Sequence, residues 1–495
     1  MPPLYAPDPP SAHPQGRPMK HLLAAALLIA LPVHAEDWAS DLRKDAQAMH
    51  DDIARNHPGP VDPANPGFAA ANDRGLKLAL TRAQTTTTYG GYRFALQAYA
   101  ASFDDGHLAF SPADLAKEPK LDLQWPGFLT NFDRNDVQRV VSRAADAPVP
   151  NGARLVACDG VDATTLAARN VGTQYGRWNL HATRVVRGAR LFIDPGNPWI
   201  QRPRHCTFEV DGKPRDVDLA WRPFTDADGK LHLPAAWHRA AEPIGLRTLD
   251  DGTVWIALSD FDGDLDHPAA KALTPLIAQV TAQRATILAA PRVVLDLRGN
   301  TGGNSEWAMR IAEALWGKEA FEKVNVNSTS VDWRASTGVV DRLSEILAME
   351  ESHPGTPATD IEWIRTTRAG VIAAMKAHKP FYHSANDPQP PTPAPPRTHA
   401  RIYMVTDAGC ASACLDAADV FLALGAIHVG EETSADTLYM DVRTPVLPSG
   451  YGKLAVAMKV YRGRPRGNNV PLVPSHPYPG DLADTPTLER WITTL

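Results

Sequence analysis

The stretch GCASACLDAADVF, residues 409–421, places Ser412 midway between Cys410 and Cys414, where a loop turns into an apolar-periodic helix. A serine hydroxyl is a weak nucleophile until a base takes its proton. The chain offers an imidazole for that in FDDGH (103–107), where Asp104 and Asp105 precede His107. A third stretch, GNTGG (299–303), contains two glycines with no Cβ to keep a main-chain amide away from a ligand. One amide from Gly302 or Gly303, with the amide of Ala413, would hold a developing negative oxygen beside Ser412. Hydroxyl, imidazole and paired amides are the parts of acyl transfer. Each also has a plainer reading: serine is a favoured helix N-cap, a glycine pair allows a tight turn, and one of 17 histidines can sit in any surface loop.

The elements that must position these groups are legible. RVVLDLRG (292–299) reads as a buried strand, followed by the glycine loop and a helix with Trp307, Ala308, Ile311, Ala312, Leu315 and Trp316 inward. RIYMV (401–405) repeats the design: strand, loop with Ser412, helix stopped by Gly425, then the strand AIHVG (426–430). Strand, loop, helix, strand implies adjacent parallel strands, whose carboxyl ends gather active sites. TVWIALSDF (253–261) opens this α/β region.

Upstream, residues 37–57 carry Leu42, Ala46, Met49 and Ile53 at helical spacing, and a second helical stretch runs from about 67 to 103 into the FDDGH loop. From 119 to 225 the texture is β-like, with DG turn signals at 159 and 211. Residues 318–398 form an insertion with helical pieces near 338–350 and 361–378 and a proline-rich exit, and they could cap the strand-end loops.

LDLRGNTGG (295–303) resembles the DLRGNxGG strand and turn of the S41 serine peptidases, the C-terminal processing and tricorn-like proteases. GCASACLDAADVF is similar to their nucleophile turn, and FDDGH to the DGH segment of members with a histidine base. The order of segments also matches over nearly all of the chain after residue 35. The resemblance implies Ser412 as nucleophile, His107 as general base, Gly302, Gly303 and Ala413 around the oxyanion, and a peptide or protein substrate. It further implies an α/β, crotonase-like (ClpP-like) protease core (226–495), a helical N-terminal subdomain (36–118) and a PDZ-like module within the β-rich 119–225. Ser–Lys relatives place the lysine about 25 residues after the serine; Thr437 stands there, and the first later lysine is Lys453. Tricorn-like relatives orient the histidine with a Glu about 60 residues beyond the serine. Here RPRGNNVPLVP (464–474) offers Asn468 or Asn469, whose side-chain oxygen can accept the imidazole proton, or a plain turn at Gly467-Asn468. Gly106 replaces the extra serine that some relatives carry before the histidine. The rival reading is a non-catalytic protein of the same fold that binds peptides or small ligands, and ester hydrolysis would use the same groups.

Other features limit the alternatives. Asp296 and Arg298 read as structural supports of the glycine turn, and Glu431 and Glu432 as solvated surface. There is no Cys/His cluster with metal-ligand spacing, no P-loop and no GxSxG elbow, so neither metal nor cofactor is required. The chain of 495 residues, 44% apolar, can bury a large core and form two or three domains. Fifty Lys and Arg against 56 Asp and Glu, with no long basic run, recommend no nucleic-acid partner. Met19-Lys20-His21, the apolar LLAAALLIALPV (22–33) and Ala35 read as a signal peptide behind a leader, cleaved after Ala35. The apolar run is too short for a stable membrane anchor, so the expectation is a periplasmic or secreted protein. Its four cysteines then allow three pairings, of which Cys158–Cys206 with Cys410–Cys414 is the most economical, against four separate buried thiols. Oligomeric state leaves no trace in the sequence.

Overall fold

The computed structural model describes residues 36–237, 241–324, 329–353, 356–385, 394–396 and 398–495. The expected leader and signal segment, 1–35, lies outside them. Residues 38–495 form one compact unit.

At its centre the strands Val254–Ala257, Arg292–Asp296, Arg401–Thr406 and Ile427–Gly430 run parallel. Gly245–Thr248 pairs antiparallel on one edge and the short His476–Pro477 parallel on the other. These strands read as continuous apolar runs because both faces are covered. Val293, Leu295, Ile402 and Met404 face the helices Pro268–Ala289, Glu306–Trp316 and Ala413–Ala423. The alternate residues Val294, Tyr403 and Val405 face Leu488 and Ile492 of the C-terminal helix Thr485–Ile492. The Ser412 and glycine loops therefore leave neighbouring strands at the same end of the sheet.

A second sheet is built on the long strand Gly452–Arg462. Ala109–Pro112, Ser330–Arg334 and Tyr439–Arg443 all pair with it antiparallel, and Phe381–Ala385 extends it beyond Ser330–Arg334. The helices Trp38–Asn56, Phe68–Ala83 and Tyr89–Ala101 pack on this sheet, with Leu42, Ala46, Met49 and Ile53 buried in one cluster with Leu454, Val456 and Val460. The helical N-terminal part is thus no free-standing subdomain. Its last strand, two residues after His107, is hydrogen-bonded to the C-terminal part of the chain. The insertion likewise contributes two strands to the sheet, and its helices Thr337–Ser352 and Ala358–Lys376 pack through Val339, Leu343 and Val371 around Trp333 and Met458. It extends a sheet and is not an independent helical lid.

The β-rich region is an antiparallel sheet of Phe128–Phe132, Gln138–Arg143, Arg154–Cys158, His205–Val210 and Lys213–Asp218. Both expected DG turns are present, with φ of 49° and 76° at Asp159-Gly160 and 50° and 73° at Asp211-Gly212, the left-handed pair that tight hairpins require. Cys158 and Cys206 face each other across adjacent strands and are bridged. A boundary at 225 cuts this region too early. The helix Asp226–Trp237 places Ala236 in one buried cluster with Trp125, Leu129 and Phe224, so it packs with the β-rich strands.

The expected support role of the DLRG strand is visible. Arg298 is fully buried, bonds Asp296 through two nitrogens at 2.6 and 2.9 Å, and donates to Leu482 O at 2.5 Å and Thr485 Oγ1 at 3.1 Å. Trp255 Nε1 donates to the same carboxylate at 3.1 Å. Removing one member of such a pair strands the other charge. Arg298→Met is expected to lower stability by about 3–5 kcal/mol, measured by denaturant unfolding; a change below about 1 kcal/mol would contradict a supporting role.

Candidate active site

The Ser412 turn departs from an ordinary helix start. Ser412 has φ 54° and ψ −125°, and its side chain makes no capping hydrogen bond to the helix Ala413–Ala423. An N-cap residue sits in the β region with its oxygen on the N2 or N3 amide, so capping does not explain this serine. A non-glycine residue in this conformation is strained, and such strain concentrates at functional sites. Four contacts hold it. Cys410 and Cys414, both fully buried, are joined by a disulfide across the turn. Ser412 N donates to Asp436 Oδ2 at 2.9 Å. Asp407 ties this loop to the glycine loop, accepting from Gly409 N at 2.8 Å and Gly299 N at 2.7 Å. The fourth contact is Gly302, on which the turn rests.

Gly302 and Gly303 have φ of 104° and 131°. A Cβ on Gly302 would lie 2.7 Å from both Ala411 O and Ser412 Cβ, and one on Gly303 would lie 2.0 Å from Phe261 O. Both positions therefore need glycine for space as well as for φ. The two amides differ in a way the sequence did not show. Gly302 N already donates to Asn300 Oδ1 at 2.9 Å, and Asn300, fully buried, also bonds Leu258 O at 2.7 Å. The amides of Gly303 and Ala413 have no acceptor among the described residues. Gly302 is thus the seat of the turn, and Gly303 and Ala413 are the available donors.

His107 belongs to a loop organised by Asp105. The buried Asp105 carboxylate accepts His107 N at 2.8 Å and Thr437 Oγ1 at 2.9 Å through one oxygen. Its other oxygen lies 3.6 Å from His57 Nε2. His57 Nδ1 accepts Gly59 N at 2.9 Å, so the ring hydrogen is on Nε2 and points at Asp105. Burial pushes the Asp105 carboxyl up, but the nearby His57 and His107 rings and the hydrogen bond from the His107 amide outweigh it and hold it below its usual range. The His107 ring is partly exposed, with Nδ1 buried and without a partner among the described residues. No hydrogen bond among the described residues joins Ser412 Oγ to His107.

The two asparagines separate cleanly. Asn468 Oδ1 accepts Leu438 N at 3.0 Å and so braces a neighbouring loop. Asn469, at φ 53°, donates its Nδ2 to Asp104 O at 2.9 Å and its main-chain N to Asp436 O at 2.7 Å. Its Oδ1 is buried with no partner among the described residues, as is His107 Nδ1. Two buried polar atoms are thus left without partners among the described residues, one on residue 107 and the other on a side chain tethered to residue 104.

Asp436, Thr437, His57 and Arg177 also shape the site, and none shows a motif or periodicity in sequence. Arg177 comes from the β-rich region. Its main-chain N donates to Asp104 Oδ1 at 2.5 Å and its guanidinium to Ala435 O. A Cβ on Gly106 would lie 2.9 Å from that guanidinium, which would have to move to admit a side chain there. Among the described residues, no group of three or more His, Cys, Asp or Glu side chains could hold a metal ion.

Residues 254–464 match the model of peptidase family S41. Among solved structures the chain is similar to mature CPAF, with a TM-score of 0.57 at 11% identity over 89% of this chain and 93% of that one. It is similar also to mature CPAF complexed with lactacystin, with a TM-score of 0.56 at 12% identity over 89% and 94%. At these identities the likeness speaks to fold. The mixed α/β architecture is that of the S41 proteases. No curated protein matches the chain by sequence.

One acidic residue overturns a sequence expectation. Glu431, read as solvated surface, is partly buried, and its carboxyl is pushed up to about 7 by burial, with Asp407 adding to the shift. Between its ordinary value of 4.5 and about 7 the folded state keeps a proton that the unfolded chain releases. Stability therefore falls as pH rises through that window, and above it the full cost applies, of order 3 kcal/mol. Glu431→Gln carries no such cost. Its thermal midpoint should exceed that of the wild type at pH 8, and the gain should vanish at pH 4.5; an equal difference at both pH values would contradict this.

Proposed function

We propose, from the match of residues 254–464 to the model of peptidase family S41, that the protein is an exported serine peptidase in which Ser412 forms an acyl-enzyme and His107 is the general base. The observation that carries this reading is the serine itself: strained, uncapped and buttressed on every side, with its hydroxyl left over. Ser412 Oγ attacks the carbonyl carbon of a peptide bond while His107 takes its proton. The carbonyl oxygen becomes an oxyanion between the amides of Gly303 and Ala413, the second at the N-terminus of a helix whose dipole favours negative charge. His107 then passes its proton to the leaving amine, and water cleaves the acyl-enzyme by the same route in reverse.

Asn469 is the better orienting group. Its Nδ2 donates to Asp104 O, which sets the orientation of the amide, and the unpartnered Oδ1 is the acceptor for His107 Nδ1–H. That acceptor selects the tautomer with Nε2 free to receive the serine proton. A neutral amide stabilises the imidazolium less than a carboxylate would, so turnover slower than in a carboxylate triad follows. The absence of a Ser412–His107 hydrogen bond is compatible with catalysis, since such bonds often tighten only when substrate binds. It is also what a binding protein of this fold would show. Both disulfides support export, because such bridges persist in oxidising compartments. The mature chain is expected to begin at Glu36, which N-terminal sequencing of the exported protein checks; an N-terminus upstream of residue 19 would contradict it.

A fluorophosphonate probe, which bonds only an activated serine, separates peptidase from binding protein. The expected adduct is on Ser412 and is absent in Ser412→Ala. His107→Ala should label about 10²–10⁴-fold more slowly, and Asn469→Ala should be slowed more than Asn468→Ala. No adduct on folded wild-type protein would favour the binding reading. Cleavage of a peptide library by the wild type, with none by Ser412→Ala, would identify the substrate sequence.

A further inference from the structure

Resting on that reading, we infer that Thr437 is a positioning residue for the hydrolysis: with Asp436 it forms the anchor on which the serine turn and the histidine loop are both hung. Two segments that are 305 positions apart in chain order, at His107 and Ser412, meet through this one dipeptide. Asp436 Oδ2 accepts Ser412 N at 2.9 Å. Thr437 Oγ1 donates to Asp105 Oδ1 at 2.9 Å, and the same oxygen accepts His107 N at 2.8 Å. The candidate orienting residue joins the same anchor, since Asn469 N donates to Asp436 O at 2.7 Å. Nucleophile, base and orienting group are each one or two hydrogen bonds from residues 436–437.

The anchor is itself rigid. Asp436 and Thr437 are buried, and Arg466, equally buried, lies 3.7 Å from the Asp436 carboxylate. Arg466 also reaches Asp416 and Asp419 of the serine helix at 3.0 Å each. The Thr437 hydroxyl accepts Tyr439 N at 3.3 Å, and of the two acceptors within its reach the Asp105 carboxylate at 2.9 Å is closer and charged, against Tyr439 O at 3.3 Å, so its one proton goes to Asp105. A valine there keeps the shape but leaves a buried carboxylate oxygen one donor short, and the cheapest relief is a shift of the 104–107 loop. A shift of about 1 Å at a reacting group is enough to cost on the order of 10²-fold in rate. Thr437 touches neither substrate nor reacting atoms, so its effect passes through Asp105 to the imidazole.

The test measures fluorophosphonate inactivation of the wild type, Thr437→Val and Thr437→Ser, separating the maximal rate from the half-saturating concentration, with thermal midpoints alongside. Thr437→Val should lose about 10- to 100-fold in maximal rate with the half-saturating concentration within about threefold, because the binding surface is untouched. Thr437→Ser keeps the hydroxyl and should recover most of the rate. If the valine variant does not fold, Thr437→Cys, with a weak donor, replaces it and should fall between the two. An unchanged maximal rate in the valine variant overturns the inference, as does a loss that serine fails to rescue, which would mark packing alone. Absence of any adduct on Ser412 in the wild type sinks the peptidase reading and this inference together, whereas labelling of the wild type with an indifferent Thr437→Val sinks only the latter.

Discussion

A serine at φ 54° does not stay there unaided. The conformation costs on the order of 1–3 kcal/mol for an L-residue, and the surroundings of Ser412 are arranged to offset it. The Cys410–Cys414 bridge spans the turn, Asp436 holds the serine amide, and Gly302 allows the neighbouring loop to approach to a distance that any Cβ would forbid. Because the bridge closes only a five-residue loop, its effect is local: it restricts the turn more than it shifts global unfolding. Each of these contacts comes from a different part of the chain, so the turn is over-determined in the way a pre-organised site must be.

Much of this architecture was legible in sequence. The two strand–loop–helix units, their parallel pairing and the amphipathic first helix follow from periodicity and turn residues and are present as read, and of the three cysteine pairings open in sequence the most economical is the one formed. Boundaries were less legible where tertiary pairing decides them. The strand Ala109–Pro112 belongs to a sheet whose other members lie more than 200 residues away, and no local pattern reports such a partner. The helix Asp226–Trp237 contains a proline and weak periodicity, and only its packing with Trp125 and Leu129 assigns it to the β-rich region. The stretch from 67 to 103 likewise divides into two helices at the polar run QTTTT, which the helical reading passed over.

At the candidate site, residue types with a chemical signature are legible in sequence and the residues that hold them are not. Ser412, His107 and the glycine pair sit in short motifs. Asp436, Thr437 and Arg177 act through a few hydrogen bonds made by ordinary residues in loops, and a hydrogen bond between distant loops leaves no periodic trace. The distinction between Gly302 and Gly303 was also invisible, because it depends on where the Asn300 side chain turns. The same holds for Asn468 against Asn469, where adjacent identical residues are separated only by what each amide is already bonded to.

The central claim is that the Ser412 hydroxyl, the His107 ring and the amides of Gly303 and Ala413 surround one reacting atom. A crystal structure of the protein with a phosphonate bonded to Ser412 tests it directly. The account predicts the phosphonyl oxygen at about 3 Å from both amides, with His107 Nε2 at hydrogen-bonding distance from the phosphonate or Ser412 Oγ and Nδ1 on Asn469 Oδ1. A phosphonyl oxygen turned to solvent, or an imidazole out of reach of the serine with the adduct in place, would contradict it.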